Sequence, residues 1–286
     1  GDGGWIRPDP GAMGMSCRVS IRDLGFAYES GPPVLGEVSL EVEAGERLGV
    51  IGPSGAGKST LMLHLNGILT PTSGSVHVGD LVVGPSTLEE VRRRVGLVFQ
   101  DPDDQLFMPT VYDDVAFGPI NLGLSREAIE ARVHQALSRV EAVELRDKPP
   151  YRLSSGEKKR VAIATVLAML PEILVLDEPT NGLDPYARRL LIGLLKGFHH
   201  TRIVASHDLD MIFELCERTI VLHEGNLMAD GPTPEIFRDN ELLSSCRLEK
   251  PFAMQNCPVC SPGPRPSSKQ PFLVEPHSSK PHEHNR

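Results

Sequence analysis

With 286 residues, 40% of them apolar and 23% charged, the chain can bury a sizeable core, as one domain with a tail or as two domains. Its net charge of −9 argues against nucleic acid as the main partner. Five cysteines are too few for a disulfide framework, and no apolar run reaches the roughly 18 residues that a membrane span needs, the longest being broken by Pro171-Glu172.

Residues 1–14 are rich in Gly and Pro and lack the charged-then-apolar layout of a signal peptide. They read as a disordered leader or an expression remnant, with Met13 or Met15 as the true start. Cys17 to Tyr28 alternates apolar and polar residues and predicts a strand. Val34 to Val42 predicts a second, and Glu43-Ala44-Gly45-Glu46 turns into a third, Arg47-Leu48-Gly49-Val50-Ile51. Next come Gly52-Pro53-Ser54-Gly55-Ala56-Gly57-Lys58-Ser59-Thr60 and then Leu61-Met62-Leu63-His64-Leu65, the first turns of a helix. Strand, Gly-rich pattern and helix in that order are the context of a phosphate-binding P-loop. The glycines let successive N–H groups point at phosphate oxygens, and the helix start adds partial positive charge. Lys58 is placed to reach β- and γ-phosphates, and the Ser59 hydroxyl to ligate Mg²⁺. A Gly-rich turn without a ligand is the plainer alternative.

Pro71 to Gly74 predicts a turn, and Val76-His77-Val78 with Leu81-Val82-Val83 a hairpin across Gly79-Asp80. Val95 to Phe99 reads as a short buried strand ending at Gln100. Ser125 then caps a helix with Ile129, Val133, Leu137 and Val140 at helical spacing, and Pro149-Pro150 ends that segment. Ser154-Ser155-Gly156 opens another helix that runs through Met169 and stops at Pro171. Residues from about 103 to 157 therefore read as a helical insertion in an α/β core.

Ile173-Leu174-Val175-Leu176 is an apolar strand that delivers Asp177 and Glu178 at its carboxyl end. A helix follows Pro185, then a strand from Arg202 to Ser206, then a helix after His207-Asp208. A last hairpin joins Thr219–His223 to Asn226–Ala229 across Glu224-Gly225. Strands alternating with helices imply a mainly parallel sheet with helices on its faces. From about Ser244 the chain turns rich in Pro, Ser, Lys and His and reads as a disordered tail, leaving 15–243 as the domain.

In such a sheet the carboxyl ends of the strands face the nucleotide, so Asp177 can hold Mg²⁺ through water. Glu178 comes next, placed to polarise an attacking water as general base. Taken alone, an acidic pair after a strand is equally a solvated turn.

Further motifs stand in order along the chain: Tyr28 after the first strand, Gln100, Leu153-Ser154-Ser155-Gly156-Glu157, Asn181-Gly182-Leu183-Asp184, and Ser206-His207-Asp208. With them, the chain from about Val19 to Phe237 resembles an ABC-type transporter ATPase. The resemblance implies a P-loop NTPase fold with an N-terminal antiparallel β subdomain. It implies that two copies, or this chain and a homologous ATPase, sandwich ATP and Mg²⁺ head to tail. Tyr28 would stack on adenine. Ser154 and Gly156 of one copy would meet the γ-phosphate held by residues 52–60 of the other. His207 would hold the γ-phosphate and the water, and Gln100 would sense Mg²⁺ and relay to a membrane subunit. One departure is Ser155, which fills a position where the family usually has glycine.

Gln100-Asp101-Pro102-Asp103-Asp104-Gln105-Leu106-Phe107, Asp114-Val115-Ala116-Phe117-Gly118-Pro119 and Gly156-Glu157-Lys158-Lys159-Arg160 narrow the resemblance. They are similar to ATPases of energy-coupling-factor importers, closest to the cobalt and nickel branch. That implies a place on the cytoplasmic face of the membrane, beneath a membrane coupling subunit and a substrate-binding membrane subunit. A vitamin importer of the same architecture is the alternative. A soluble non-transport ATPase is the alternative from another class, and it calls for tandem cassettes, a coiled-coil insertion or basic runs, which this sequence lacks. Leu106, Phe107, Met108 and Val111 are candidates for an exposed apolar groove that takes a partner's helix. Cys246, Cys257, Cys260, His277, His282 and His284 offer sulfur and imidazole for a metal in the tail, or belong to an incidental polar segment.

Overall fold

The computed structural model describes residues 17–255 except Ser30 and His199. Among these, ten strands form two sheets. The strands are β1 (Val19–Ala27), β2 (Pro33–Val42), β3 (Arg47–Ile51), β4 (Ser73–Val78), β5 (Leu81–Val82), β6 (Val95–Val98), β7 (Ile173–Asp177), β8 (Thr201–Ala205), β9 (Arg218–His223) and β10 (Asn226–Pro232). The helices are α1 (Lys58–Leu65), α2 (Leu88–Arg94), α3 (Val111–Asn121), α4 (Arg126–Arg139), α5 (Ser155–Leu167), α6 (Pro185–Lys196), α7 (Leu209–Leu215), α8 (Thr233–Ile236) and α9 (Asn240–Ser245).

The larger sheet has the order β10-β9-β3-β8-β7-β6 and is parallel except for the β9–β10 hairpin. Strands β7 and β8 are buried at every residue, as continuous apolar runs in a sheet covered on both faces must be. The smaller sheet, β2-β1-β4-β5, is antiparallel, and β2 alternates buried and exposed residues from Val38 to Val42 because one face meets the core. One apolar core joins Val19, Ile21 and Val76 of the small sheet to Leu61 and Met62 of α1 and Val50, Val175 and Ile203 of the large sheet.

Helices α3, α4 and α5 pack on one another as a layer, and α5 also meets β6. Serine caps open two of them: Ser125 accepts from Ala128 N–H, and Ser154 forms a reciprocal capping box with Glu157. Arginines close the other ends. Arg160 of α5 donates to the carbonyls of Val140 (2.9 Å) and Glu141 after α4, and Arg132 of α4 donates to those of Ala168 and Met169 after α5. Carbonyls left over at a helix end carry partial negative charge, so each cation meets an acceptor and a favourable dipole.

Several elements differ from the sequence expectations. Helix α2 forms in a stretch with Val91 as its one buried residue; Glu89–Arg93 (2.7 Å) and Glu90–Arg94 (3.1 Å) pairs support it, with acids first and bases last along the dipole. Helix α3 runs through Pro119, which local propensity disfavours and packing on α4 and α5 offsets. The turn expected to end at Gly74 ends earlier, because β4 begins at Ser73. Leu106 and Val111, expected in an exposed groove, are buried. The apolar surface there consists of Phe107 (65% exposed), Phe117 and Ile120. Helix α9 carries the fold past the expected boundary at 244, burying Leu243 and Cys246, and one compact unit extends to Ala253. Burial removes Cys246 from the tail's candidate metal ligands; Cys257, Cys260, His277, His282 and His284 lie outside the described residues.

Candidate functional site

Four strands, β3, β6, β7 and β8, run parallel, and the loops after their carboxyl ends carry most of the predicted residues. After β3 the chain turns at Gly52, where a Cβ would lie 2.2 Å from the Leu222 carbonyl oxygen. Gly57 holds φ 98 at the start of α1, a left-handed conformation that favours glycine. The tip of the β9–β10 hairpin braces the loop from behind, Gly225 N–H donating to the Ala56 carbonyl at 3.2 Å. Pro53, Ser54, Gly55 and Ala56 thus form a curled segment between strand and helix, with Ala56 N–H bonded to Pro53 O at 3.2 Å. Ser59 and Thr60 follow in the first turn of α1.

Lys58 is buried and donates to the carbonyls of Gly52 (2.8 Å) and Pro53 (3.2 Å). Its ammonium lies 3.8 Å from Glu178 Oε1. Burial lowers its pKa, and the charges of Glu178 and Asp177 oppose that shift. Burial likewise raises the Asp177 carboxyl, against a hydrogen bond from Ser59. The other Asp177 oxygen, Oδ1, is buried with no hydrogen-bond partner among the described residues.

Glu178 follows directly. Its φ is 45, a left-handed backbone at a non-glycine residue, and such strain costs about 1–3 kcal/mol and collects at functional sites. Its Oε2 accepts from Ser206 Oγ (3.1 Å) and His207 N–H (3.1 Å) and lies 2.7 Å from His207 Nδ1. The His207 ring projects from the site and is largely exposed. Asp208 anchors this turn, taking two bonds from Arg188 at 2.6 and 2.8 Å. The cluster of Lys58, Ser59, Asp177, Glu178 and His207 joins a cation for phosphate, oxygen ligands for a hard metal ion and a carboxylate paired with an imidazole.

Gln100 follows β6 with its side chain exposed and its carbonyl bonded to Lys159 Nζ at 2.5 Å. Tyr28 stands at the end of β1, edge-on to Phe26 at 4.9 Å between centroids, and Phe26 in turn meets His64 of α1. Its exposed ring continues an aromatic row toward the phosphate-loop helix. Ser154 and Gly156 open α5 and lie elsewhere: a Cβ on Gly156 would meet Ala187 at 3.5 Å and Leu183 at 3.9 Å. None of the hydrogen bonds of Ser154 among the described residues goes to the phosphate loop. Among the described residues, hydrogen bonds and ion pairs join Lys58, Glu178, Ser206 and His207 into one cluster, and none from Ser154 leads there.

Two residues named in the sequence only as parts of resembling stretches turn out to have structural roles that were not assigned to them there. Gln105 accepts from Phe99 N–H (3.2 Å) and donates to Ala162 O and Thr165 Oγ1, both at 2.7 Å, tying the end of β6 to α5. Lys159 is the other, and its signal was its place at helical spacing with the apolar Ala162, Ile163 and Val166.

Residues 35–181 match the ABC transporter family. A Geobacter sulfurreducens protein named as an ABC transporter ATP-binding protein is 63% identical, covering 85% of this chain and 97% of its own length. The chain belongs to the ATP-binding subunits of ABC transporters. This ABC ATPase is also 50% identical to the energy-coupling factor transporter ATP-binding protein EcfA of Methanothermobacter thermautotrophicus, over 82% of this chain and 76% of that protein. Among solved structures it is similar to cbiO1 of Clostridium perfringens, part of the ABC transporter complex cbiONQ, at 39% identity and TM-score 0.70, covering 79% of this chain and 93% of that one. It is similar too to a dimeric ATP-binding cassette in a post-hydrolysis state with ADP and Pi, at 28% identity and TM-score 0.69, covering 75% and 98%. The ABC ATPase binds and hydrolyses ATP to power transport. No described helix is long and apolar enough to cross a membrane.

Proposed function

We propose that this chain is the ATP-hydrolysing subunit that energises import of a transition-metal ion, cobalt or nickel, through a membrane complex. It works as a dimer at the cytoplasmic face, beneath a membrane coupling subunit and a substrate-binding membrane subunit. The observation that carries the hydrolytic part is the Glu178 carboxylate, held by Ser206 and His207 and 3.8 Å from the Lys58 ammonium. Glu178 accepts the proton of the attacking water, and His207 steers the γ-phosphate. Lys58 neutralises β- and γ-phosphate oxygens, and residues 52–60 donate their N–H groups. Ser59 and Asp177 would hold Mg²⁺, as hard oxygen donors of which one, Asp177 Oδ1, is buried without a partner among the described residues, and Gln100, just after β6, would join them. Bound there, Mg²⁺ supplies charge that steadies the phosphates.

The dimer reading is supported by the separation of Ser154 and Gly156 from the phosphate loop of their own chain. A second copy would bring them to the γ-phosphate, and the dimeric form of the similar cassette agrees. The metal cargo is supported by similarity to cbiO1 and by the Asp103-Asp104-Gln105-Leu106-Phe107 stretch. Co-purification with the membrane complex, then ATP-driven uptake of labelled Co²⁺ or Ni²⁺ into vesicles, tests it. Vitamin uptake instead of metal uptake moves the assignment to the alternative importer.

Two variants test the parts. Lys58→Ala removes charge-assisted bonds of about 1.5–3 kcal/mol, so ATP affinity is expected to drop about 10–100-fold. Equilibrium titration measures it, and unchanged affinity counts against the phosphate-loop assignment. Phe107 and Phe117 meet edge-on at 5.2 Å and with Ile120 form the apolar surface on the helical layer. Phe107→Asp is expected to abolish co-purification with the membrane subunits while ATPase activity of the isolated chain stays within about twofold, since exposed substitutions seldom disturb a fold. Retained co-purification removes this face as the docking site.

A further inference from the structure

Lys159 has no part in the nucleotide site as described, yet it is only 3% exposed. It leaves α5 on the buried face with Ala162, Ile163 and Val166. Its ammonium donates to the Gln100 carbonyl at 2.5 Å and to the Glu178 carbonyl at 3.2 Å. Gln100 follows β6 and Glu178 follows β7, and these strands are parallel neighbours with Val98 opposite Leu176. One cation therefore bridges the carboxyl ends of two adjacent strands. Asp101, Asp177 and Glu178 supply the opposing charge.

The position of the Glu178 peptide is unusual enough to need holding. A left-handed backbone at a glutamate persists only where its surroundings over-determine it. Its N–H donates to Ala205 O at 2.8 Å, and its carbonyl accepts from Asn181 N–H at 3.1 Å as well as from Lys159. Ala205 belongs to β8, and Asn181 to the loop that Glu178 itself begins. Lys159 reaches in from the helical layer, on the helix that Ser154 and Gly156 open. The same helix is tied to the loop after β6 by Gln105 and by a 2.6 Å pair between Lys158 and Asp103.

We infer that Lys159 is a positioning residue for ATP hydrolysis: its ammonium fixes the Gln100 and Glu178 peptides to α5, so that movement of that helix carries the Glu178 carboxylate with it. This rests on the role proposed for Glu178. A neutral side chain at 159 leaves two buried carbonyls without their cation, and the Glu178 peptide relaxes. Misplacement of a reacting group by about 1 Å can lower turnover about 100-fold. Among the described residues, the bonds of Lys159 go to the Gln100 and Glu178 carbonyls and none to residues 52–60, so ATP affinity is expected to change little.

The test uses the full chain with Lys159→Met, Lys159→Gln and Glu178→Gln. Steady-state kcat, ATP affinity by equilibrium titration and the urea unfolding midpoint are read for each. Lys159→Met is expected to lower kcat about 10–100-fold, with ATP affinity within about threefold of the parent and a folded chain. A kcat within about threefold of the parent overturns the proposal, as does a loss confined to ATP affinity. If Lys159→Met does not fold, Lys159→Gln, which keeps a donor, decides by the same criteria. Should neither fold, the ammonium serves the fold alone and the proposal fails. Glu178→Gln separates this from the underlying reading. Parental turnover in that variant sinks the role of Glu178, whereas a dead Glu178→Gln beside active Lys159 variants sinks the role of Lys159 only.

Discussion

Glu178→Gln is expected to cut ATP hydrolysis by at least about a hundredfold while ATP remains bound. Glutamine has the shape of glutamate and can still accept from Ser206 Oγ and His207 N–H through its amide oxygen. What disappears is a carboxylate able to take a proton from water. Glu178→Gln removes the 3.8 Å ion pair with Lys58, but the bonds of Lys58 to the Gly52 and Pro53 carbonyls do not involve residue 178 and hold the ammonium in the phosphate loop. Binding and chemistry should therefore separate. An ATP-loaded dimer should accumulate, visible by size-exclusion chromatography with nucleotide, while phosphate release falls. Turnover near the parental rate would remove Glu178 as the base. Loss of ATP binding together with turnover would instead mean that the carboxylate supports the loop electrostatically.

The second large effect concerns stability. Arg202 of β8 is fully buried and has no carboxylate among its hydrogen-bond partners in the described residues. Its Nη1 donates to the Leu195 carbonyl near the end of α6, and its Nη2 to the Leu215 carbonyl at the end of α7, at 2.8 Å. Two helix ends converge on one guanidinium, and their partial negative charges stand where an acid would. Burial lowers the Arg202 pKa, because the charged guanidinium is removed from water. Arg202→Ala takes the guanidinium from the Leu215 carbonyl, leaves the Leu195 carbonyl with its bond from Phe198 N–H, and opens a cavity, and is expected to destabilise the chain by about 3–5 kcal/mol. Arg202→Met keeps most of the volume and removes the buried charge, and is expected to cost about half as much. Urea unfolding curves of the three proteins, compared at equal slope, give the numbers. An alanine variant within about 1 kcal/mol of the parent would show that the bonds to Leu195 and Leu215 contribute little.

The parts that were legible in the sequence share a physical cause. Arg47 to Ile51 and Ile173 to Asp177 are short apolar runs, and such runs become buried parallel strands. Whatever follows them is delivered to one edge of the sheet. That rule alone brings Lys58, Asp177 and Glu178 together, and the strand ending at Ala205 adds Ser206 and His207. Ser125 and Ser154 were legible as helix starts because a hydroxyl cap is a local matter.

What stayed hidden depends on tertiary context. Helix α2 has almost no apolar stripe and draws on charge pairs and its dipole. Helix α3 contains a proline that local rules read as a break. The composition shift at Ser244 looked like a boundary, but Leu243 and Cys246 find apolar partners that composition cannot register. Leu106 and Val111 are as apolar as Phe107, and only the turn of the chain decides which faces outward. Lys159 was hidden for the opposite reason: lysine is expected in water, and its acceptors are backbone carbonyls that carry no trace in the sequence.

The exchanged arginines of α4 and α5 make those two helices a truss. Each strut is pinned at its far end by a member of the other, through Arg160 on one side and Arg132 on the other. A lone helix frays from its last turn, and in this pair fraying either end withdraws the pin from the neighbour as well. The amides at 136–140 and 164–168 should therefore exchange with deuterium at matched rates, and Arg160→Ala should accelerate both groups together. A load applied at the Phe107–Phe117 surface would then arrive at Ser154 as rotation of a stiff frame, with little of it lost to bending along the way.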